Sequence, residues 1–230
     1  MIRGNINGLQ MSAKVDPSQL SVYHFLHIGN IKSVFSSGFL YSDGCLRDNG
    51  IKNVCVAMSR LKDRRLTIKI PQFSDLQVGY CVPFYFCTKS VMLYVISKGN
   101  SEYLSYRGGQ EQIAYFRFDF NRVWEWAQGE GLRTIITSGN ASAAHAESYL
   151  ERDAVRGLKW EAIMASQWGG DDLLKHHKAA ELLVENRVCA ELISEIGVIS
   201  ESCRRDVAGI VSAYPRFAQI PISVRRDWYF

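Results

Sequence analysis

Apolar and polar positions change period several times along the chain, and each change marks an element. "LSVYHFLHI" is dense in β-branched and aromatic side chains and predicts a first strand. In "GNIKSVFSSG", Ile31, Val34 and Phe35 recur at helical spacing and Gly38 supplies the stop. "YSDGCLRDNGIKN" then loses its periodicity and predicts a loop or weakly structured connection. "VGYCVPFYFC" predicts a strand, and "TKSVMLYVISKGN" a helix with Asn100 just past its end. "EQIAYFRF" alternates like a strand. "DFNRVWEWAQGEG" predicts a helix with Asp119 as N-cap and glycines at its C-terminus. "LRTIITSGN" predicts a strand running into a turn.

Further on, "CAELISEIGVIS" and "ESCRRDVAGIVSAY" are expected to be helical in their first parts, and "QIPISVRRDWYF" to form a terminal strand. Residues 1–20 read as a loose leader ending in the turn signal "DPSQ", with Met11 as an alternative start. No repeat, low-complexity block or linker divides the remainder, so residues 21–230 are expected to form one domain. Strands and helices mix irregularly, which favours an α+β fold over regular βαβ winding.

Composition narrows the class. The 230 residues are 47% hydrophobic and 22% charged, which is globular. A net charge of +4 permits an anionic partner without requiring one. Cys45, Cys55, Cys81, Cys87, Cys189 and Cys203 include no C-x-x-C pair and read as reduced thiols of a cytoplasmic protein. The first residues contain no apolar signal segment, and the longest apolar run, around "VPFYFC", is too short to span a bilayer. No membrane association is expected.

Candidate chemistry is sparse. His24 and His27 form H-x-x-H, but on a strand they point to opposite faces and would not share a metal. Nothing else has metal-ligand spacing, and neither G-x-G-x-x-G nor a Walker A pattern is present. Arg60, Lys62, Arg64, Arg65 and Lys69 form the densest basic run. It reads either as a solvated face or as a mobile cationic loop for pyrophosphate or a nucleic-acid backbone. "TSGNASAAH" is either an ordinary loop or a floor where something flat approaches the backbone. In "KHHKAAELLVENRV", Glu181 stands alone between Ala180 and Leu182. Composition favours a surface helix with a Lys178–Glu181 pair; the alternative is a lone acid entering a cleft on an apolar strand.

The segments "YHFLHIGNIKSVFSSGFL", "RRLTIKI", "VPFYFCTKSVMLY", "YRGGQEQI", "TSGNASAAH", "KAAELLV", "EIGV" and "WYF" occur in a telling order. Together they resemble the DarT family of single-stranded-DNA ADP-ribosyltransferases, toxins of the DarT–DarG toxin–antitoxin systems. The resemblance runs from Tyr23 to Phe230, and "VPFYFCTKSVMLY" is its most specific part. It implies an ADP-ribosyltransferase fold, with two antiparallel sheets split around an NAD cleft and helices flanking them. It also implies transfer of ADP-ribose from NAD to a base, thymidine, in single-stranded DNA, without a metal. The expected partners are single-stranded DNA and a DarG-like macrodomain antitoxin, and nothing demands more than a monomer.

By the same resemblance Glu181 opens a strand as the catalytic acid. Arg65 is the functional arginine of the basic run, with Arg64 the near alternative and a cofactor contact. His24, Asn30, Tyr85, Met92 and Asn140 are implied around NAD, and Arg107 toward DNA phosphate. Ala179 stands where the family usually has Gln, and Leu182 where an aromatic is common. The Ala179 departure motivates one alternative, a weakly active relative that binds nucleic acid or a protein partner through the same cleft; a second alternative is a transferase with the same cleft chemistry acting on another base, RNA or protein.

Overall fold

The first strand begins where the polar leader gives way to apolar side chains. The computed structural model describes residues 15–99, 101–102 and 104–230. Most of the expected leader, Met11 included, and the expected helix boundary at Asn100 lie outside the described residues. In the first half follow β1 (Ser21–His27), α1 (Ile31–Ser37), β2 (Phe39–Tyr41), α2 (Asp43–Asp48), α3 (Ser59–Arg65), β3 (Lys69–Ile70), β4 (Phe73–Gln77), β5 (Cys81–Tyr85) and α4 (Val91–Lys98). The second half contains β6 (Ile113–Asp119), α5 (Phe120–Gly129), β7 (Thr134–Thr137), β8 (Ser148–Tyr149), α6 (Trp160–Met164), α7 (Asp172–Lys178), β9 (Glu181–Glu185), β10 (Arg187–Cys189), β11 (Ile193–Val198), α8 (Glu201–Val211) and β12 (Ile222–Val224).

Eight strands hydrogen-bond in the order β12-β11-β6-β1-β5-β9-β7-β8. Every pairing is antiparallel except β11 with β12. The row is not uniform. β1 and β6 pair in unbroken register from Ser21↔Asp119 to His27↔Ile113, whereas β1 and β5 meet only at Tyr23↔Tyr85. The sheet is therefore two four-stranded halves that part beyond one residue pair. Pro83 in β5 contributes to the parting, because proline has no N–H to donate across a ladder. Its carbonyl is taken instead by the ring of His24, Nδ1 to O at 2.8 Å. Two small sheets, β2 with β10 and β3 with β4, flank this frame.

One face of the sheet is continuous. Phe84, Phe116, Phe118, Leu182 and Val184 pack there with apolar positions of α1, α5 and α8. In α5 these are Phe120, Val123, Trp124 and Ala127, the i, i+3, i+4, i+7 stripe of a helix against a core. The opposite face is divided. Phe25, Tyr115, Met92, Leu93 and Ile96 cluster with Trp228 and Tyr229 over one half, and Ile70, Leu76, Val78, Ile135 and Leu183 over the other. Tyr85 and Glu181, paired in register, sit where the two halves come apart.

Three sequence expectations are corrected. "YSDGCLRDNGIKN" holds α2, a six-residue helix capped by the Ser42 hydroxyl, which accepts from Cys45 N–H. It is too short to display a period. "CAELISEIGVIS" is a 3-10 turn, Ala190–Leu192, followed by β11. β11 pairs on both edges and is buried apart from Ser194, and its adjacent polar residues Ser194 and Glu195 hide the period of two that would mark a strand. The terminal strand shrinks to Ile222–Val224. The chain then turns so that Trp228 lies on Gly197, where a Cβ would stand 2.2 Å from the indole.

Candidate active site

The approach to Glu181 is set by the preceding helix. α7 ends at Lys178, Ala179 is its C-cap, and β9 begins at Glu181 between β5 and β7. Lys178 does not form the surface pair that composition favours. Its ammonium is buried, donates to the Ile163 carbonyl at 2.9 Å and lies 3.8 Å from Cys87 Sγ. Glu181 is only 2% exposed. Thr137, its neighbour on β7, accepts from Glu181 N–H at 3.2 Å and donates to the Gly139 carbonyl at 2.7 Å. That arrangement curls the turn after β7 back over the strand end. The Ala141 N–H then donates to Glu181 Oε2 at 3.0 Å.

Arg65 closes α3 and reaches the same carboxylate. Its Nη1 donates to both carboxylate oxygens, at 3.0 and 3.2 Å. The helix end can approach because Gly79 has no side chain: a Cβ there would lie 2.9 Å from Leu66 N and 3.0 Å from Arg65 C. The basic run is thus a helix in its first part, not a loop. Burial opposes the charge on Arg65, but the Glu181 carboxylate beside it more than offsets this and holds its pKa above the ordinary value. Arg65 Nη2 is buried with no hydrogen-bond partner among the described residues. A buried guanidinium donor left without a partner costs a few kcal/mol, on the order of 1–3. Such an atom fits a site built for a polar ligand.

The pair lies at one end of a cleft of about 1080 Å³, its open mouth included. Of the residues expected from the sequence, His24, Asn30, Arg65, Tyr85, Met92 and Glu181 all line it. His24 must carry its proton on Nδ1 to donate to the Pro83 carbonyl, which leaves Nε2 as an acceptor. Burial lowers its pKa, so the ring is neutral at pH 7. His27, by contrast, uses Nδ1 to accept from Gly29 N–H and caps the turn after β1. Tyr85 stacks on Phe25, with ring centroids 5.7 Å apart. Burial first, and the Glu181 carboxylate second, push its phenol pKa well up, so it stays a donor. Asn30 is committed to the opposite wall. It donates to the Val54 carbonyl and accepts from Val54 N–H, both at 2.8 Å, pinning the 53–57 segment that lines the cleft.

Arg64 and Asn140 are placed differently. Arg64 is exposed and does not line the cleft, so Arg65 alone of the two reaches Glu181. Asn140 uses its Oδ1 to accept from Ser142 N–H, which shapes the turn that aims Ala141 at Glu181. Arg107 is exposed, and its Nη1 donates to the Gly99 carbonyl just past α4. Sequence reasoning missed the Ala141 N–H, Thr137, the Pro83 carbonyl and the cleft-lining Lys62–Asp43 ion pair at 2.7 Å. Backbone donors and acceptors have no signature in residue type, so only the fold reveals two of these. Among the described residues no group of three or more His, Cys, Asp or Glu could hold a metal ion. None of the described helices is long and apolar enough to cross a membrane.

A buried carboxylate, a cation locked to it, and a neutral imidazole and phenol share one deep cleft. This arrangement can steady positive charge on a bound ligand while water is held away. Known proteins share the frame. A curated DNA ADP-ribosyl transferase of Thermus sp. (strain 2.9) is 32% identical over 214 residues, covering 93% of this chain and 98% of that protein. The structure of Thermus sp. 2.9 DarT in complex with ADP-ribosylated ssDNA superposes with a TM-score of 0.83 at 31% identity, covering 93% of this chain and 97% of the other. The complex of the same protein with NAD+ gives 0.79 at 29% identity, over 94% and 99% of the two chains. The family model described as DarT, ssDNA thymidine ADP-ribosyltransferase, matches residues 23–230, and the chain belongs to that family.

Proposed function

We propose that the cleft binds NAD+ and that residues 21–230 act as one catalytic unit, transferring ADP-ribose to a thymidine of single-stranded DNA. The observation that carries the reading is the Arg65–Glu181–Ala141 constellation at the parting of the sheet. The donor set suits NAD+: an unpartnered guanidinium nitrogen, an imidazole acceptor and a stacked phenol face one elongated cleft.

NAD+ supplies a glycosidic bond whose cleavage leaves positive charge on the ribose and releases nicotinamide. Glu181 stabilises that charge with a carboxylate fixed in advance by Arg65 and the Ala141 N–H. A preorganised group of this kind is worth about 2.7–4 kcal/mol, or roughly a hundred- to a thousandfold in rate. Among the described residues Oε1 accepts a hydrogen bond from Arg65 alone, which leaves it capacity for a ribose hydroxyl. Arg65 stays protonated and is no base. Its role is to stabilise the anion as a thymine imide nitrogen gives its proton to solvent at the cleft mouth and attacks the ribose carbon that nicotinamide leaves. His24 Nε2 accepts from a second hydroxyl and orients the sugar.

Single-stranded DNA is the easier acceptor, because the imide edge is paired within a duplex and freeing it costs a few kcal/mol. A cytoplasmic monomer countered by a DarG-like macrodomain antitoxin completes the reading. The acceptor is tested by enzymatic digestion of oligonucleotides treated with the protein and NAD+. ADP-ribosyl-thymidine is the expected labelled nucleoside. Label on another nucleoside, on RNA or on the protein alone would replace that acceptor.

A further inference from the structure

Three aromatic rings meet on the outer side of α4. Tyr94 stands edge-on to Trp168 at 5.6 Å and to Phe230 at 5.3 Å, and Trp168 stands edge-on to Phe230 at 5.7 Å. Each ring is accompanied by a lysine ammonium. Lys98 lies 5.2 Å from the Tyr94 centroid, Lys89 5.8 Å from that of Phe230, and Lys178 4.8 Å from that of Trp168. Trp168 and Lys178 are buried and form the base of the cluster, whereas Tyr94 and Phe230 are 39% and 41% exposed.

An exposed apolar patch alone says little about its ligand. This one alternates flat rings with cations, the pattern that suits successive bases and phosphates of a single strand. Among the described residues Lys89, Lys98 and Arg107 form no ion pair with a carboxylate; Arg107 donates to the Gly99 carbonyl at the end of α4. The nearby Asp171 carboxylate is engaged in capping α7 through Leu174 N–H. None of these three cations is therefore neutralised by an ion pair among the described residues.

Its position follows from the chain. Met92 of α4 lines the cleft, and Tyr94 two residues on faces the surface. Lys89 is four residues beyond Tyr85, the register partner of Glu181, so the two Cα atoms are at most about 14 Å apart. Four stacked nucleotides at about 3.4 Å each are enough to cover that reach. We propose that Tyr94 and Phe230, with Lys89 and Lys98, form a platform for the strand flanking the reacting thymidine. A neighbouring base stacks on the rings and its phosphates meet the lysines. The inference rests on the reading of the cleft as one that takes single-stranded DNA.

The test measures anisotropy of labelled thymidine oligonucleotides, short and progressively longer, with wild type, Tyr94→Ala, Phe230→Ala and Lys98→Glu. Adduct formation is weighed on the same samples. Wild type is expected to gain affinity as the strand is lengthened to the platform, and the alanine variants to bind the longer strand about tenfold or more weakly. Lys98→Glu keeps all three rings and is expected to reduce the salt dependence of binding to the longer strand. Equal binding of long strands by wild type and all folded variants overturns the platform, while adduct formed by wild type keeps the cleft reading. Length-dependent affinity that the variants lose, with no adduct from any protein, keeps the platform and overturns the cleft reading.

Discussion

Adding one methyl group at Gly139 tests whether the turn after β7 holds the Glu181 carboxylate. A Cβ there would meet the His176 ring at 2.1, 2.4 and 2.5 Å, about 1 Å inside ordinary contact at 3.4 Å. The half-buried ring has neighbours on two sides. It lies 4.2 Å from the His145 ring and 5.1 Å from that of His177, and His177 Nδ1 itself donates to the Ser138 carbonyl of the same turn. In Gly139→Ala the ring and the turn are expected to part, with the turn taking a share of the shift. A shift of about 1 Å takes the Ala141 N–H, now 3.0 Å from Glu181 Oε2, out of bonding range. Loss of one charge-assisted hydrogen bond is worth about 1.5–3 kcal/mol, or roughly ten- to a hundredfold in kcat/KM. The assay is adduct formation on one oligonucleotide, with thermal melting to confirm folding. Gly139→Ala combined with His176→Gly removes the obstruction and is expected to recover most of the activity, a coupling of about 1–2 kcal/mol. Wild-type activity in the single variant, or a double variant no better than the single, would refute the reasoning.

Arg65→Lys keeps a charge but not the geometry that lets one guanidinium nitrogen serve both Glu181 oxygens; kcat is expected to fall about a hundredfold in steady-state kinetics, more than KM changes. Asn30→Ala frees the 53–57 segment from its two bonds at 2.8 Å, so the KM for NAD+ is expected to rise about tenfold and limited proteolysis to cut this wall faster. His24 has its folded pKa held below the ordinary value by burial. The unfolded chain therefore takes up this proton more readily, and stability is lost as pH falls from about 6.5 towards the folded value. The acid limb of kcat/KM is expected below about pH 6.5, and His24→Gln is expected to remove the His24 contribution to that limb.

Period alone revealed much of the frame. β1, α1, β5, α4, β6, α5 and β7 all fall within segments read from apolar spacing and caps, because each is a β-branched and aromatic run or a helical stripe bounded by turn or capping residues. β11 was not legible because its polar residues, Ser194 and Glu195, are adjacent and so fall on opposite faces, which hides a period of two; Glu195 is buried there by Arg117 and Arg225. α2 is too short for a period, and its Ser42 cap is its only local signal. At the site, composition pointed to a Lys178–Glu181 pair, because nothing in "KAAELLV" says that the helix stops at Lys178. The order of motifs did point to a strand beginning at Glu181, and the structure has β9 begin there. The Ala141 N–H was beyond sequence reading altogether, since any residue but proline would supply it.

The central claim is that Glu181 carries the transfer. Glu181→Gln preserves shape and removes the charge. Protein, NAD+ and a thymidine-containing single strand are incubated, and the oligonucleotide is weighed by mass spectrometry. Wild type is expected to add the mass of ADP-ribose and the variant to do so at least about a hundredfold more slowly. Equal rates from wild type and a folded Glu181→Gln protein, or no adduct from folded wild type on any single strand, would contradict the account.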